Sequence, residues 1–112
     1  MMFPKHKPTK LSQTEWAKLR RECYERDAHC CVWCGRHLAE EQAHPHHIIY
    51  RSGGGSDAPE NVATVCGTCH RDIHDGRYRD LERDMPPGVM LTKGAVAVIL
   101  FKRIARNERR AA

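Results

Sequence analysis

Apolar positions along this 112-residue chain fall into three stretches with different periods. In the first, Trp16, Leu19 and Cys23 recur at helical spacing. Ser12-Gln-Thr-Glu15 precedes that stripe and fits a capping box, a hydroxyl N-cap with an acid three residues on. A helix over about residues 13–27 is expected, with the stripe toward the core. Arg20, Arg21 and Arg26 lie off the stripe, in solvent or against a phosphate backbone. In the second stretch, Ile48-Ile49-Tyr50 and Val62 to Val65 are short runs of β-prone residues. Between them, Arg51-Ser-Gly-Gly-Gly-Ser-Asp57 excludes a regular element and reads as a loop closed by Pro59. Residues 36–44 are polar and irregular, with at most a helical turn around Ala39–Gln42. A helix over about 68–76 should end at Gly76. In the third stretch, Arg77 to Asp84 reads as a short charged helix and Pro86-Pro87-Gly88 as a break. Residues 93–110 read as a helix with an apolar first half and a basic second half: Lys102, Arg103, Arg106, Arg109 and Arg110. Its first half is apolar on several faces, which fits burial in the fold or packing on another chain.

These elements predict a small α+β domain: two short antiparallel strands, a long loop and a helix, flanked by N- and C-terminal helices. Residues 1–11, with Lys5, Lys7 and Lys10 among two prolines, read as a basic flexible arm. Residues 12–112 read as a single domain with its core at 30–76.

A formal net charge of +5 favours polyanions, nucleic acid above all. A solvated basic surface has the same charge, so charge alone does not decide. The longest apolar run, Ala95 to Phe101, is too short to cross a bilayer, which takes roughly 20 residues. A chain of this length buries little surface, and its core is marginal without help such as a bound metal. Six cysteines raise the alternative of a disulfide framework. The start, Met1 to Pro8, has no apolar signal segment, and the close cysteine pairs are flanked by histidines. Both features favour a reducing cytoplasm, with Cys23 and Cys30 as free thiols.

The strongest chemical signal is Cys31-Val-Trp-Cys34 and Cys66-Gly-Thr-Cys69. Structural zinc takes four tetrahedral ligands, and Cys-x-x-Cys lets one turn aim two sulfurs at one point. The 31 residues between Cys34 and Cys66 exceed a simple ribbon, so the insertion must be a substructure of its own. Cys30 competes with Cys31, but only Cys31 gives the two-residue gap. Within and just after the insertion lie the histidines. His70 and His74 share one helix face and can chelate one ion. His46 and His47 are neighbours on an extended segment, so their side chains diverge and should do different jobs. One can complete a metal site while the other serves as a base. His6, His29, His37 and His44 read as structural or solvated.

This arrangement resembles the HNH (ββα-metal) nuclease family: a histidine, often preceded by His, Asp or Glu, then a loop, an asparagine, and a final His or Asn on a helix. Here the pattern reads His46-His47, then Asn61, 14 positions after His47, then His70, 23 positions after it. The flanking motifs resemble the branch of that family braced by four cysteines: Cys-x-x-Cys before, His-His-Ile inside, Gly-Gly before the asparagine, and Cys-x-x-Cys-His-x-x-x-His at the end. The resemblance spans residues 31–74. It implies a zinc-braced ββα-metal core and a DNA endonuclease leaving 5′-phosphate and 3′-hydroxyl ends. His47 would be the general base, since an imidazole's ordinary pKa of about 6.5 suits that task. His46, His70 and His74 would hold one divalent ion at the scissile phosphate, and Asn61 would tie the loop to the strand and fix the imidazole of His47. Arg51, Arg71 and Arg77 would clamp the phosphate or serve as surface ion-pair partners. An all-imidazole site is soft for magnesium, so Mn2+, Co2+ or Ni2+ should be favoured. Small proteins of this branch are common in phages and prophages, which the resemblance makes a plausible source; a further reading is an interaction subunit that docks through its apolar C-terminal helix onto a second copy or a larger packaging or recombination machine. No base-reading module is evident, so DNA contact should be largely sequence-independent. The competing reading is a zinc-braced DNA-binding module without catalysis. It needs the sulfurs and arginines but has no use for His47, Asn61 and His70 at these spacings.

Overall fold

The capping box at Ser12 forms as its residues dictate: Ser12 Oγ accepts the Glu15 amide and Glu15 Oε1 accepts the Ser12 amide, both at 3.2 Å. It starts helix α1, Gln13–Arg26, in a computed structural model that describes residues 11–78 and 91–111. The basic arm before residue 11, most of the expected charged helix up to Asp84 and the Pro86-Pro87-Gly88 break lie outside the described residues. Leu19, Cys23 and Tyr24 of α1 are buried. At the end of the helix, Ala28 and His29 take positive φ, 55° and 63°. Left-handed backbone costs a non-glycine residue about 1 kcal/mol or more. Here the His29 amide donates to the Tyr24 carbonyl at 3.0 Å, and the His29 ring stacks on Tyr24 at 4.3 Å. The turn delivers the chain into the first cysteine knuckle.

A 3-10 turn at Glu40–Gln42 leads into strand β1, Ala43–His47. The strand therefore lies before Ile48-Ile49-Tyr50, where the residue pattern places it, and the histidine pair ends it. Asn61 supplies the reason. Its backbone carbonyl accepts the Ile48 amide at 2.8 Å, and its side chain then takes over, accepting the Ile49 amide and donating to the Ile49 carbonyl, both at 2.9 Å. A side-chain amide in place of the next ladder partner stops the sheet and turns the chain outward. Strand β2, Val62–Cys66, pairs antiparallel with β1, with His46 opposite Ala63 and His47 opposite Val62. All five β2 residues are buried. The free edge of β2 is covered: Thr64 O accepts the Val32 amide at 2.8 Å, and the Thr64 amide donates to Asp27 at 3.0 Å.

Helix α2, Gly67–His74, follows β2 without a linker, starting where Cys66 caps it. Gly76, at φ 72°, ends it with paired bonds from the Gly76 amide to Ile73 O and from the Arg77 amide to Asp72 O. Helix α3, Lys93–Ala111, lays Val96, Leu100 and Ile104 into the main core, which includes Trp33, Leu38, Val65 and Tyr78. The apolar half of this helix is thus buried in its own chain, although Val98 stays exposed. Among the described residues no helix is long and apolar enough to cross a membrane.

Asp27 ties these parts together. Its fully buried carboxylate takes the fork of Arg26, the Thr64 amide and, at 2.9 Å, the Asn107 side chain of α3. Arg26 donates further to the carbonyls of Pro59 and Val62, each at 2.6 Å. It is therefore an internal brace, unlike the solvated or phosphate-facing residue its place off the stripe implies. Helical spacing is blind to a residue in the last turn that folds back under the sheet.

Candidate functional site

Each of the four clustered cysteines sits where a backbone turn aims its sulfur inward. The Cys34 amide donates to Cys31 Sγ, and the Cys69 amide donates to Cys66 Sγ, both at 3.4 Å. The four Sγ atoms lie within 4.8 Å of one another, which suits a tetrahedral ion with Zn–S bonds of about 2.3 Å. Cys31, Cys66 and Cys69 are buried and Cys34 is at the rim. Burial pushes the Cys31 and Cys69 thiols up. Cys66 is pushed up by burial too, but donors from Cys69, Cys31 and Cys34 outweigh this and hold it below the ordinary thiol value. Such a cluster does not carry several thiolates unaided; a divalent cation balances them. Cys23 and Cys30 stand outside the cluster, both as free thiols.

At the other end of the sheet the two neighbouring histidines of β1 diverge. His46, 2 % exposed, faces α2, its ring 5.4 Å from that of His70 and 5.5 Å from that of His74. One ring nitrogen from each of the three lies within 4.8 Å of the others. The Nε2 atoms of His70 and His74 are 3.2 Å apart. Two nitrogens bound to one ion at about 2.1 Å are separated by about 3.0–3.4 Å, so this spacing fits a shared cation. The buried Nδ1 of His46 has no hydrogen-bond partner among the described residues, a need that a cation satisfies. Burial, then the neighbouring imidazoles, holds His46 down to about 4, and burial followed by His74 and His44 lowers His70. Both are therefore neutral near pH 7, with lone pairs available. Tyr50 stacks on His74 at 5.2 Å and steadies the outer ring.

His47 points the other way. Its Nε2 lies 2.7 Å from Asp57 Oδ1, and its ring stacks on Trp16 of α1, centroids 5.4 Å apart and nearly parallel. The Asp57 side chain is 4 % exposed and takes the fork of Arg51 through Nε and Nη2, both at 2.9 Å. Burial raises the Asp57 carboxyl, but Arg51 and His47 outweigh it and keep the group ionised. The Arg51 guanidinium also lies over Trp16, 5.3 Å from the ring centre. Trp16, Arg51, His47 and Asp57 thus form one packed unit.

Asn61, 6 % exposed, has no side-chain hydrogen bond to His47 among the described residues; it joins Ile49 to the loop by donating to Ser56 O at 2.9 Å. The loop wraps so tightly that a Cβ on Gly55 would lie 1.7 Å from Ile49 O and 2.9 Å from Asn61 Nδ2. Gly55→Ala is expected to lower stability by about 1–3 kcal/mol in urea denaturation. Gly53→Ala, whose Cβ meets nothing nearer than 3.9 Å, should leave the midpoint nearly unchanged.

A cleft of about 380 Å³ opens between the two histidine sets, lined by His47, His70, His74, Tyr50, Arg51 and Ser52. Arg71 and Arg77 are exposed, without ion-pair partners among the described residues. His44 is exposed with its ring 5.6 Å from His70, outside the three-histidine group. Sequence reasoning missed Asp57 and Trp16. Asp57 carries no spacing signal inside a flexible-looking loop, and Trp16 has the periodicity of an ordinary core residue.

Comparison with known proteins agrees with this arrangement. The family model described as HNH endonuclease matches residues 31–76, which hold both the sulfur cluster and all three clustered histidines. A curated protein called anaredoxin, from Nostoc sp. strain PCC 7120, is 30 % identical over 70 residues, covering 62 % of this chain and 90 % of that protein. No solved structure matches. Two antiparallel strands leading into a helix, braced by four cysteines that fit a zinc ion, are the fold expected of that family, and the chain belongs to the HNH endonuclease family.

Proposed function

We propose that this protein is a metal-dependent DNA endonuclease that hydrolyses phosphodiester bonds to 5′-phosphate and 3′-hydroxyl ends. The observation that carries this reading is the divergence at the end of β1. His46 joins His70 and His74 in a cation-sized cluster, whereas His47, the next residue, stays unligated beside the same cleft. In-line hydrolysis needs that separation of a base from a Lewis acid.

His47 is the general base. Asp57 holds the proton on Nε2, which leaves the Nδ1 lone pair to take a proton from water. Trp16 fixes the plane of the ring. Asn61 positions the loop that carries Asp57, through Ile49 and Ser56. Arg51 keeps Nη1 for a phosphate oxygen while its other donors hold Asp57. Arg71 and Arg77 add positive charge near the helix. When bound at His46, His70 and His74, a divalent ion supplies positive charge for the scissile phosphate and the departing 3′ oxygen. The all-nitrogen donor set favours Mn2+, Co2+ or Ni2+ over Mg2+. Zinc is the ion the four cysteines suit, and residues 12–112 form one domain around the 30–76 core.

Supercoiled plasmid incubated with each ion in turn tests the reading. Open circles or linear DNA should appear with Mn2+, Co2+ or Ni2+, with 3′ ends that a polymerase extends directly. DNA retention without cutting under every ion would instead make the protein a zinc-braced binding module. Clearly faster cutting with Mg2+ would rule out the three-histidine ligand set.

A further inference from the structure

A second concave surface lies between the first cysteine knuckle and α3, away from the histidine cleft. Its volume is about 390 Å³, and its walls carry Arg103, Arg106 and Arg110, which fall at i, i+3 and i+7 on one face of the helix. Asp27 is the one acid in the lining among the described residues, and both its oxygens are engaged by Arg26, Thr64 and Asn107. A neighbouring groove of about 550 Å³ runs along the same helix and is lined by Lys102, Arg103, Arg106 and Arg109, with no acid among the described residues. Arg103 and Arg106 stand on the ridge between the two.

The three arginines are engaged to different degrees. Arg103 donates through Nη1 to the carbonyls of Val32 and Trp33, both at 2.9 Å, and lies over the Trp33 ring. It is therefore wall as much as ligand. Arg110 donates to the side chain of Asn107 through one nitrogen. Arg106 is exposed and has no hydrogen-bond or ion-pair partner among the described residues. Burial and then Arg106 push Arg103 down, against the pull of Cys31. Like charges converging on a concave surface without a free acid make an anion site.

We propose that this cleft is a second phosphate-binding site, separate from the histidine cleft, that grips the backbone of duplex DNA through Arg106 and Arg110. The stripe from residue 103 to 110 rises about 10 Å, enough to face two or three consecutive phosphates of one strand. The choice of DNA as the polyanion rests on the nuclease reading; the existence of the site does not. The structural alternative is that these arginines only offset the charge of the thiolate cluster behind the knuckle. Arg103 is placed for that role, whereas Arg106 faces open clefts on both sides.

Binding of a 20-base-pair duplex is measured by fluorescence anisotropy over a salt series, with every protein carrying His47→Ala so that the probe stays intact. Adding R106A and R110A should weaken binding on the order of tenfold at 0.1 M salt and lower the salt slope by about two. Arg106→Lys with Arg110 retained should keep the slope. Zinc content should stay unchanged. With His47 present, Mn2+-supported turnover of bis(p-nitrophenyl) phosphate, whose hydrolysis requires only the histidine cleft, should also be unaffected by R106A and R110A. An unchanged affinity and slope would overturn the proposal, and so would loss of zinc from the R106A protein. If His47-containing protein turned over neither plasmid nor the small diester, the nuclease reading would fail, while the salt slopes would still report on the cleft.

Discussion

His47→Ala is expected to reduce plasmid cleavage by a factor of about 10²–10⁴ while the protein keeps its zinc, its thermal midpoint and its affinity for duplex DNA. The size of the effect follows from the role proposed for His47 as general base. The survival of the fold follows from what remains. His47 is not among the three histidines whose nitrogens cluster, so removing it leaves that group intact. Nor does it leave a buried charge unpaired, because Asp57 retains the fork of Arg51. The half-buried Trp16 loses one stacking partner but keeps the Arg51 contact. Asp57→Asn should fall between wild type and His47→Ala. The amide keeps the shape of the carboxylate but no longer fixes which ring nitrogen bears the proton. Cutting by His47→Ala at the wild-type rate would move the base to another group, with His44, its ring 5.6 Å from that of His70, the next imidazole to test.

Removing the metal from the cysteine cluster should have the larger structural effect. Cys69→Ser, or a strong zinc chelator, is expected to abolish the cooperative thermal transition. Structural zinc in small domains contributes roughly 10–16 kcal/mol, against net stabilities of about 5–15 kcal/mol. The cluster is also the joint on which the site depends. Cys66 ends β2 and caps α2, and α2 carries His70 and His74. Cys31 starts the knuckle that covers the edge of β2 through Val32 and is gripped by Arg103 of α3. Without the cation, the buried thiols of Cys31 and Cys69 have no charge partner, and three elements lose their common anchor. Cys30→Ser is the matched control. Its sulfur reaches only the Ala28 carbonyl at 3.4 Å, so zinc content and melting should be unchanged. Zinc measurement and circular dichroism read both variants. A Cys69→Ser protein that melts like the wild type would show that the four sulfurs do not support the fold.

Some of this was legible along the chain because the signal is local. Ser12 and Glu15 cap a helix by contacts three residues apart, and they do so in the structure. Two Cys-x-x-Cys turns aim their sulfurs by backbone geometry alone, and the cluster they form needs only that the chain fold back once. The helix that begins in the second knuckle is likewise set by its own short span. The strand before the loop ends at His47, ahead of the run where β-propensity puts it. Ile48, Ile49 and Tyr50 favour extended backbone in isolation, but at Ile49 the Asn61 side chain replaces the ladder partner and the pairing stops.

By itself, the sequence determined the class of the domain, the composition of the sulfur cluster and the identity of the histidines available for chemistry, because each depends on spacings within one turn or one motif. Tertiary structure alone decided their surroundings. It brought Trp16 from the first helix onto His47, drew Asp57 and Arg51 out of a glycine-rich loop into an ion pair with the carboxylate buried and the guanidinium exposed, and turned Arg26 from an outward-facing residue into a brace under the sheet. Those contacts join residues up to 36 positions apart. Their energies depend on burial and on three-dimensional proximity, neither of which is written in the local order of residue types.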